Sequence, residues 1–120
     1  MTSGTAWTST DAWLLMALGG TSEDDPSPLS EIINRADAIE HAVMEEAEFT
    51  TSAGRLTAAG LIAGGGGDWW LTAAGQELYA DRTRRSGWRD NLLRGLRKLG
   101  APQDAPLTLE PGEFAKAVGR

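Results

Sequence analysis

The sequence predicts a mainly α chain with a small β-hairpin, in which a three-helix unit leads directly into the hairpin and a C-terminal helical extension follows. Three observations predict this. Phe49, Ala53, Leu56 and Gly60 recur at helical spacing. The pattern then changes to two short strand-like runs, Leu61 to Ala63 and Asp68 to Leu71, separated by the glycines Gly64 to Gly67. Residues 29–43 and 88–99 carry apolar stripes opposed by charged faces. The chain divides into a flexible N-terminus (1–9), a core domain (10–85) and the extension (86–120).

A length of 120 residues suits one domain with one core. The absence of cysteine excludes disulfides, thiolate catalysis and Cys-ligated zinc, and suits a reducing, cytoplasmic setting. The N-terminal MTSGTAWTSTD has no basic residue or long apolar run, so neither export nor membrane spanning is expected. The net charge of -6 is unevenly spread. Residues 1–81 hold 13 of the 17 acidic groups against Arg35 and Arg55, whereas residues 82–120 hold 9 basic groups against 4 acidic ones. Either the two parts attract each other, within the chain or across a dimer, or the basic part docks an anionic partner.

The first helix starts at Thr10 or Asp11, whose side chain can accept from the orphan amides of the first turn, and Gly19-Gly20 ends it. Trp13, Leu14, Met16, Ala17 and Leu18 make it a buried element. Residues 21–28, TSEDDPSP, read as an exposed loop. Its adjacent Glu23, Asp24 and Asp25 lack the alternating ligands and distal Glu of a calcium site. The second helix runs over 29–43 with Ile32, Ile33, Ala36, Ile39, Ala42 and Val43 inward, and its spacing allows Glu31–Arg35 and Asp37–His41 pairs. His41, the single histidine, has no neighbouring nucleophile or second ligand and reads as a packed or capping side chain.

Glu45, Glu46 and Glu48 lead into the third helix, where carboxylates favour the exposed amides and the dipole. The outward face of that helix then shows Thr51, Ser52, Arg55 and Ala58. Arg55 is the side chain there able to make a bidentate contact with guanine. The glycine tip has no positive charge and lacks the Gly-Lys-Ser/Thr ending of a phosphate loop. Trp69 and Trp70 are neighbours on a strand and point to opposite faces, so one enters the core and the other is either a partner anchor or is covered by the termini with Trp7 or Trp88.

Thr72 caps a fourth helix over 73–85 with Leu78 and Tyr79 as its apolar contacts. After Ser86-Gly87, Trp88, Leu92, Leu93, Leu96 and Leu99 form an amphipathic helix backed by Arg89, Arg94, Arg97 and Lys98. That helix is a candidate for dimerisation through Leu92 and Leu96, for folding back on the acidic part, or for phosphate binding. A proline-containing linker over 101–111 precedes a last turn or two of helix, with Phe114 packed on the body.

A hairpin directly behind the last helix of a three-helix unit is the arrangement of a winged helix. The run from Arg35 to Leu78 also resembles bacterial winged helix-turn-helix proteins, through Leu56, Ala59-Gly60-Leu61-Ile62 and Leu71-Thr72-Ala73-Ala74-Gly75. It looks particularly like small actinobacterial proteins with a "DAI.HA" segment, here Asp37 to Ala42. The resemblance covers roughly residues 10–80 and implies a DNA-binding transcription regulator.

On that analogy the first reading is a regulator that binds double-stranded DNA through Thr51, Ser52 and Arg55 and through the basic residues Arg82, Arg84 and Arg85. It would act as a homodimer. The alternative is a non-enzymatic protein-interaction module that does not bind DNA, with Trp69, Trp70, Trp88, Leu92 and Leu96 as contact residues. This alternative better explains the acidic first two-thirds and the uncharged wing. No spacing suggests a catalytic residue, a metal site or a cofactor.

Overall fold

The computed structural model describes residues 6–65, 67–80 and 87–119. Among the described residues there are six helices, α1 (Ser9–Ala17), α2 (Leu29–Glu40), α3 (Glu46–Ala58), α4 (Ala73–Ala80), α5 (Trp88–Arg97) and α6 (Glu113–Val118), and a three-stranded antiparallel sheet. Its strands are β1 (Ser27–Pro28), β2 (Ile62–Gly65) and β3 (Asp68–Leu71), in the order β1-β3-β2. The chain is therefore mainly helical with a small sheet, as the sequence predicts.

Helix α1 is central and packs on α2, α3 and α5. Ala12, Leu14, Leu15 and Ala17 are fully buried. The helix starts earlier than expected. Thr8 is its N-cap, and Thr8 with Asp11 forms a reciprocal capping box that fixes the entry of the chain. Trp7, expected to be loosely ordered, is instead buried, and its indole N–H donates to the Gly100 carbonyl at 2.8 Å.

Helix α2 ends at Glu40 rather than at 43. His41 follows in the left-handed region (φ 56°), where its own amide donates to the Asp37 carbonyl, so it acts as a backbone cap and not through a side-chain pair with Asp37. Ala42 and Val43 consequently leave the inward stripe and are exposed. The expected Glu31–Arg35 pair forms at 2.8 Å. Helix α3 opens on a second capping box, Glu45 with Glu48, which accounts for two of the three carboxylates at its start. It closes with Gly60 at φ 77°, where the Leu61 amide reaches the Leu56 carbonyl at 2.9 Å and the Gly60 amide reaches that of Thr57. Gly60 is thus the left-handed stop of the helix and not part of its inward face.

Strand β1 is the element that the pattern does not reveal. Ser27 pairs with Trp69 and Pro28 with Asp68, which makes β3 the central strand. A proline is tolerated there because β1 is an edge. The preceding loop is also less exposed than expected at its start. Thr21 is buried, donates to the Leu18 carbonyl at 2.7 Å and accepts from the Leu71 amide at 3.0 Å, tying α1 to β3.

Helix α5 turns its apolar face inward onto α1 and α4. Leu92 and Leu96 are fully buried and Leu93 nearly so, while Leu99 stays exposed. This corrects the expectation that Leu92 and Leu96 form a contact surface for a partner, because they complete the core of their own chain. An Arg89–Glu40 ion pair joins the start of α5 to the end of α2, one realised contact between the basic and acidic parts. Phe114 of α6 is buried 6.1 Å from the ring of Phe49. Leu96→Ala is expected to lower the unfolding free energy by about 2–5 kcal/mol. Urea denaturation will measure the loss, and the light-scattering mass of the folded protein will be unchanged.

Candidate functional site on helix α3

The outward face of α3 is where a DNA reader would present its side chains, and here it is occupied. Ser52 does not point to solvent. It is buried, and its hydroxyl donates to Asp11 Oδ1 at 2.6 Å. Asp11 has no exposed surface, and its Oδ2 accepts from the Thr8 amide at 2.8 Å and from Arg55 Nη1 at 3.1 Å. Both carboxylate oxygens are therefore engaged, which is the condition for keeping a charge inside a protein.

Arg55 reaches inward to that carboxylate and sideways to a second one. Its Nε donates to Asp104 Oδ1 at 2.8 Å, and its side chain is 13% exposed. Burial acts to lower the pKa of the guanidinium, but the hydrogen bond to Asp104 and the charge of Asp11 outweigh burial and raise it above its ordinary value. Arg55 is thus cationic at any pH near neutrality and already neutralised from within. It does not stand free to read guanine, which corrects the role expected for Arg55 and, with it, for Ser52. Thr51 is half-buried beside them.

Asp104 lies on an extended strap, residues 101–110, that leaves the end of α5 and crosses α3 before α6. The strap lies directly against the helix backbone. The Leu107 amide donates to the Thr50 carbonyl at 3.1 Å, and a Cβ on the buried Gly54 would overlap the Ala105 carbonyl. Pro102 is buried, Leu107 and Leu109 pack on the core, and residues 103–106 face solvent on their other side. Glycine at 54 is what permits this approach. It is a close-contact signal that the pattern of larger side chains in α3 does not disclose.

The remaining expected residues are dispersed. Trp69 packs edge-on against Phe49, with ring centroids 5.5 Å apart, and its buried indole N–H has no hydrogen-bond partner among the described residues. Trp70, on the opposite face of β3, is half-buried and lines an open groove with Glu23, Asp24, Ala63 and Thr72. Trp7 sits against Gly100, its indole N–H donating to that carbonyl. Trp88 is partly buried on the core, with the Arg89 guanidinium 5.1 Å from its ring centroid. Arg82, Arg84 and Arg85 lie outside the described residues. On α5, Arg94, Arg97 and Lys98 are exposed.

Among the described residues no group of three or more His, Asp or Glu is placed to hold a metal, and no helix is long and apolar enough to cross a membrane. No known protein family, curated protein or solved structure matches the chain. Asp11→Ala removes one partner of a buried ion pair and orphans Ser52 and the Thr8 amide, so it is expected to cost about 3–5 kcal/mol of stability. Ser52→Ala loses one hydrogen bond to a charged acceptor, about 1.5–3 kcal/mol. Chemical denaturation of both variants checks the order.

Proposed function

We propose that this chain is a non-enzymatic protein-interaction module on a winged-helix frame, and that α3 is not offered to nucleic acid. The order α1, β1, α2, α3 and the β2–β3 hairpin, with β1 joining the hairpin sheet, is compatible with that frame. The observation that carries the functional reading is the covered face of α3. A reading helix needs its polar side chains free to reach base edges. Here Ser52 is spent on Asp11, Arg55 is paired with Asp11 and Asp104, and the strap lies over Gly54. Exposed Glu45 and Glu46 at the start of α3 add repulsion toward phosphates. The glycine-rich β2–β3 turn supplies no compensating cation.

A DNA-binding regulator is the second reading, favoured by the exposed Arg94, Arg97 and Lys98 on α5. That surface would contact phosphates without reading sequence. Fluorescence-anisotropy titration of a labelled mixed-sequence duplex at low and near-physiological salt separates the two. The interaction module is expected to show no salt-sensitive binding. Binding that falls steeply with salt, and that weakens in an Arg94→Ala, Arg97→Ala, Lys98→Ala variant, would replace it with the second reading.

A further inference from the structure

We infer that the outward face of α3 is a docking groove for an extended, proline-containing acidic segment, and that the strap 101–110 occupies it in cis as a built-in competitor. This rests on the interaction-module reading and names the partner chemistry. The strap has the form of a bound peptide. It runs without helix or strand structure, and prolines at 102 and 106 hold such a chain extended at low entropic cost. Its contacts with α3 are of the kinds that peptide grooves use, a backbone hydrogen bond (Leu107 to Thr50), a charge pair (Asp104 to Arg55) and a close backbone approach over a glycine (Ala105 at Gly54).

The groove accordingly selects a carboxylate three residues ahead of an aliphatic side chain, on a backbone extended enough to pass Gly54. Arg55 is suited to exchange one carboxylate for another. Its Nη1 stays anchored on the buried Asp11 while its Nε takes the incoming group, so the cation keeps its position when the strap leaves. The strap is also placed to leave. Its outer side is in solvent over residues 103–106, and it is bounded by Gly100 (φ 94°), whose carbonyl the Trp7 indole holds, and by Gly112 (φ 82°), where no side chain hinders a change of backbone angle. A cis competitor lowers the apparent affinity of a partner by the fraction of molecules in which the groove is open. Weakening the strap must therefore raise affinity.

The test uses the full chain and a fluorescein-labelled peptide of its own residues 101–110, APQDAPLTLE, followed by anisotropy. Asp104→Ala with Leu107→Ala is expected to bind the peptide at least tenfold more tightly than the unmodified protein. Adding Gly54→Ala, which favours the helix but places a methyl in the groove, is expected to abolish that binding. A peptide with its own Asp and first Leu changed to Ala is expected not to bind. A folded Asp104→Ala, Leu107→Ala protein that ignores the peptide overturns the groove and leaves the interaction-module reading standing. The same protein binding a mixed-sequence duplex with steep salt dependence, but not the peptide, overturns both. Should the double variant fail to fold, hydrogen exchange of the unmodified protein decides. The Leu107 amide is expected to exchange faster than the core amides of α3, and exchange only through global unfolding overturns the competitor.

Discussion

A carboxylate with no exposed surface, that of Asp11, ties together parts of the chain that are far apart in sequence. It caps α1 through Thr8, accepts from Ser52 on α3 and anchors Arg55, whose second hydrogen bond reaches Asp104 in the strap. A buried charge is tolerated only when it is paired and hydrogen-bonded, and each partner is therefore held in place by the cost of leaving the charge alone. The first turn of α1, the outward face of α3 and the C-terminal segment form one electrostatic unit. The hydrophobic core beneath it is closed by α5, whose leucines pack on α1.

That unit decides what the face of α3 can do. On that face the arginine is paired twice, the serine is turned inward and the glycine lies under another backbone. The face has the features of a groove that holds an extended chain. Exposed cations persist on α5, and among the described residues Arg89 and Glu40 join the basic part to the acidic one. The two tryptophans of β3 divide as the alternation of a strand requires. Trp69 buttresses Phe49, and Trp70 borders an acidic groove on the opposite face.

Much of this architecture was legible from local signals. Helical spacing located α2, α3 and α5, the glycine run located the hairpin, and Thr72 marks the start of α4, where its hydroxyl accepts from the Gly75 amide at 3.2 Å. The errors have identifiable causes. Strand β1 is two residues long and contains a proline, so it carries no alternation to read. The C-terminal ends of α2 and α3 are set by left-handed His41 and Gly60, and an apolar pattern running through them, Ala42 and Val43 in one case and Gly60 in the other, suggests more helix than forms. The stripe Leu92, Leu93, Leu96 was recognised, but a stripe does not say whether it meets its own core or another molecule.

The sequence by itself determined the helical class, the hairpin, the Thr72 cap of α4 and the division of charge, because each depends on residues close together in the chain or on composition alone. Only the tertiary structure decided the fate of Asp11, Ser52 and Arg55. Their partners lie 41 to 49 residues away, and a charged or hydroxyl side chain on a helix reads the same whether it faces water or a buried counter-charge. The same holds for Gly54, whose meaning comes from a strap about 50 residues further along the chain. Local spacing fixes which way a side chain leaves its helix, and the fold alone fixes what it meets.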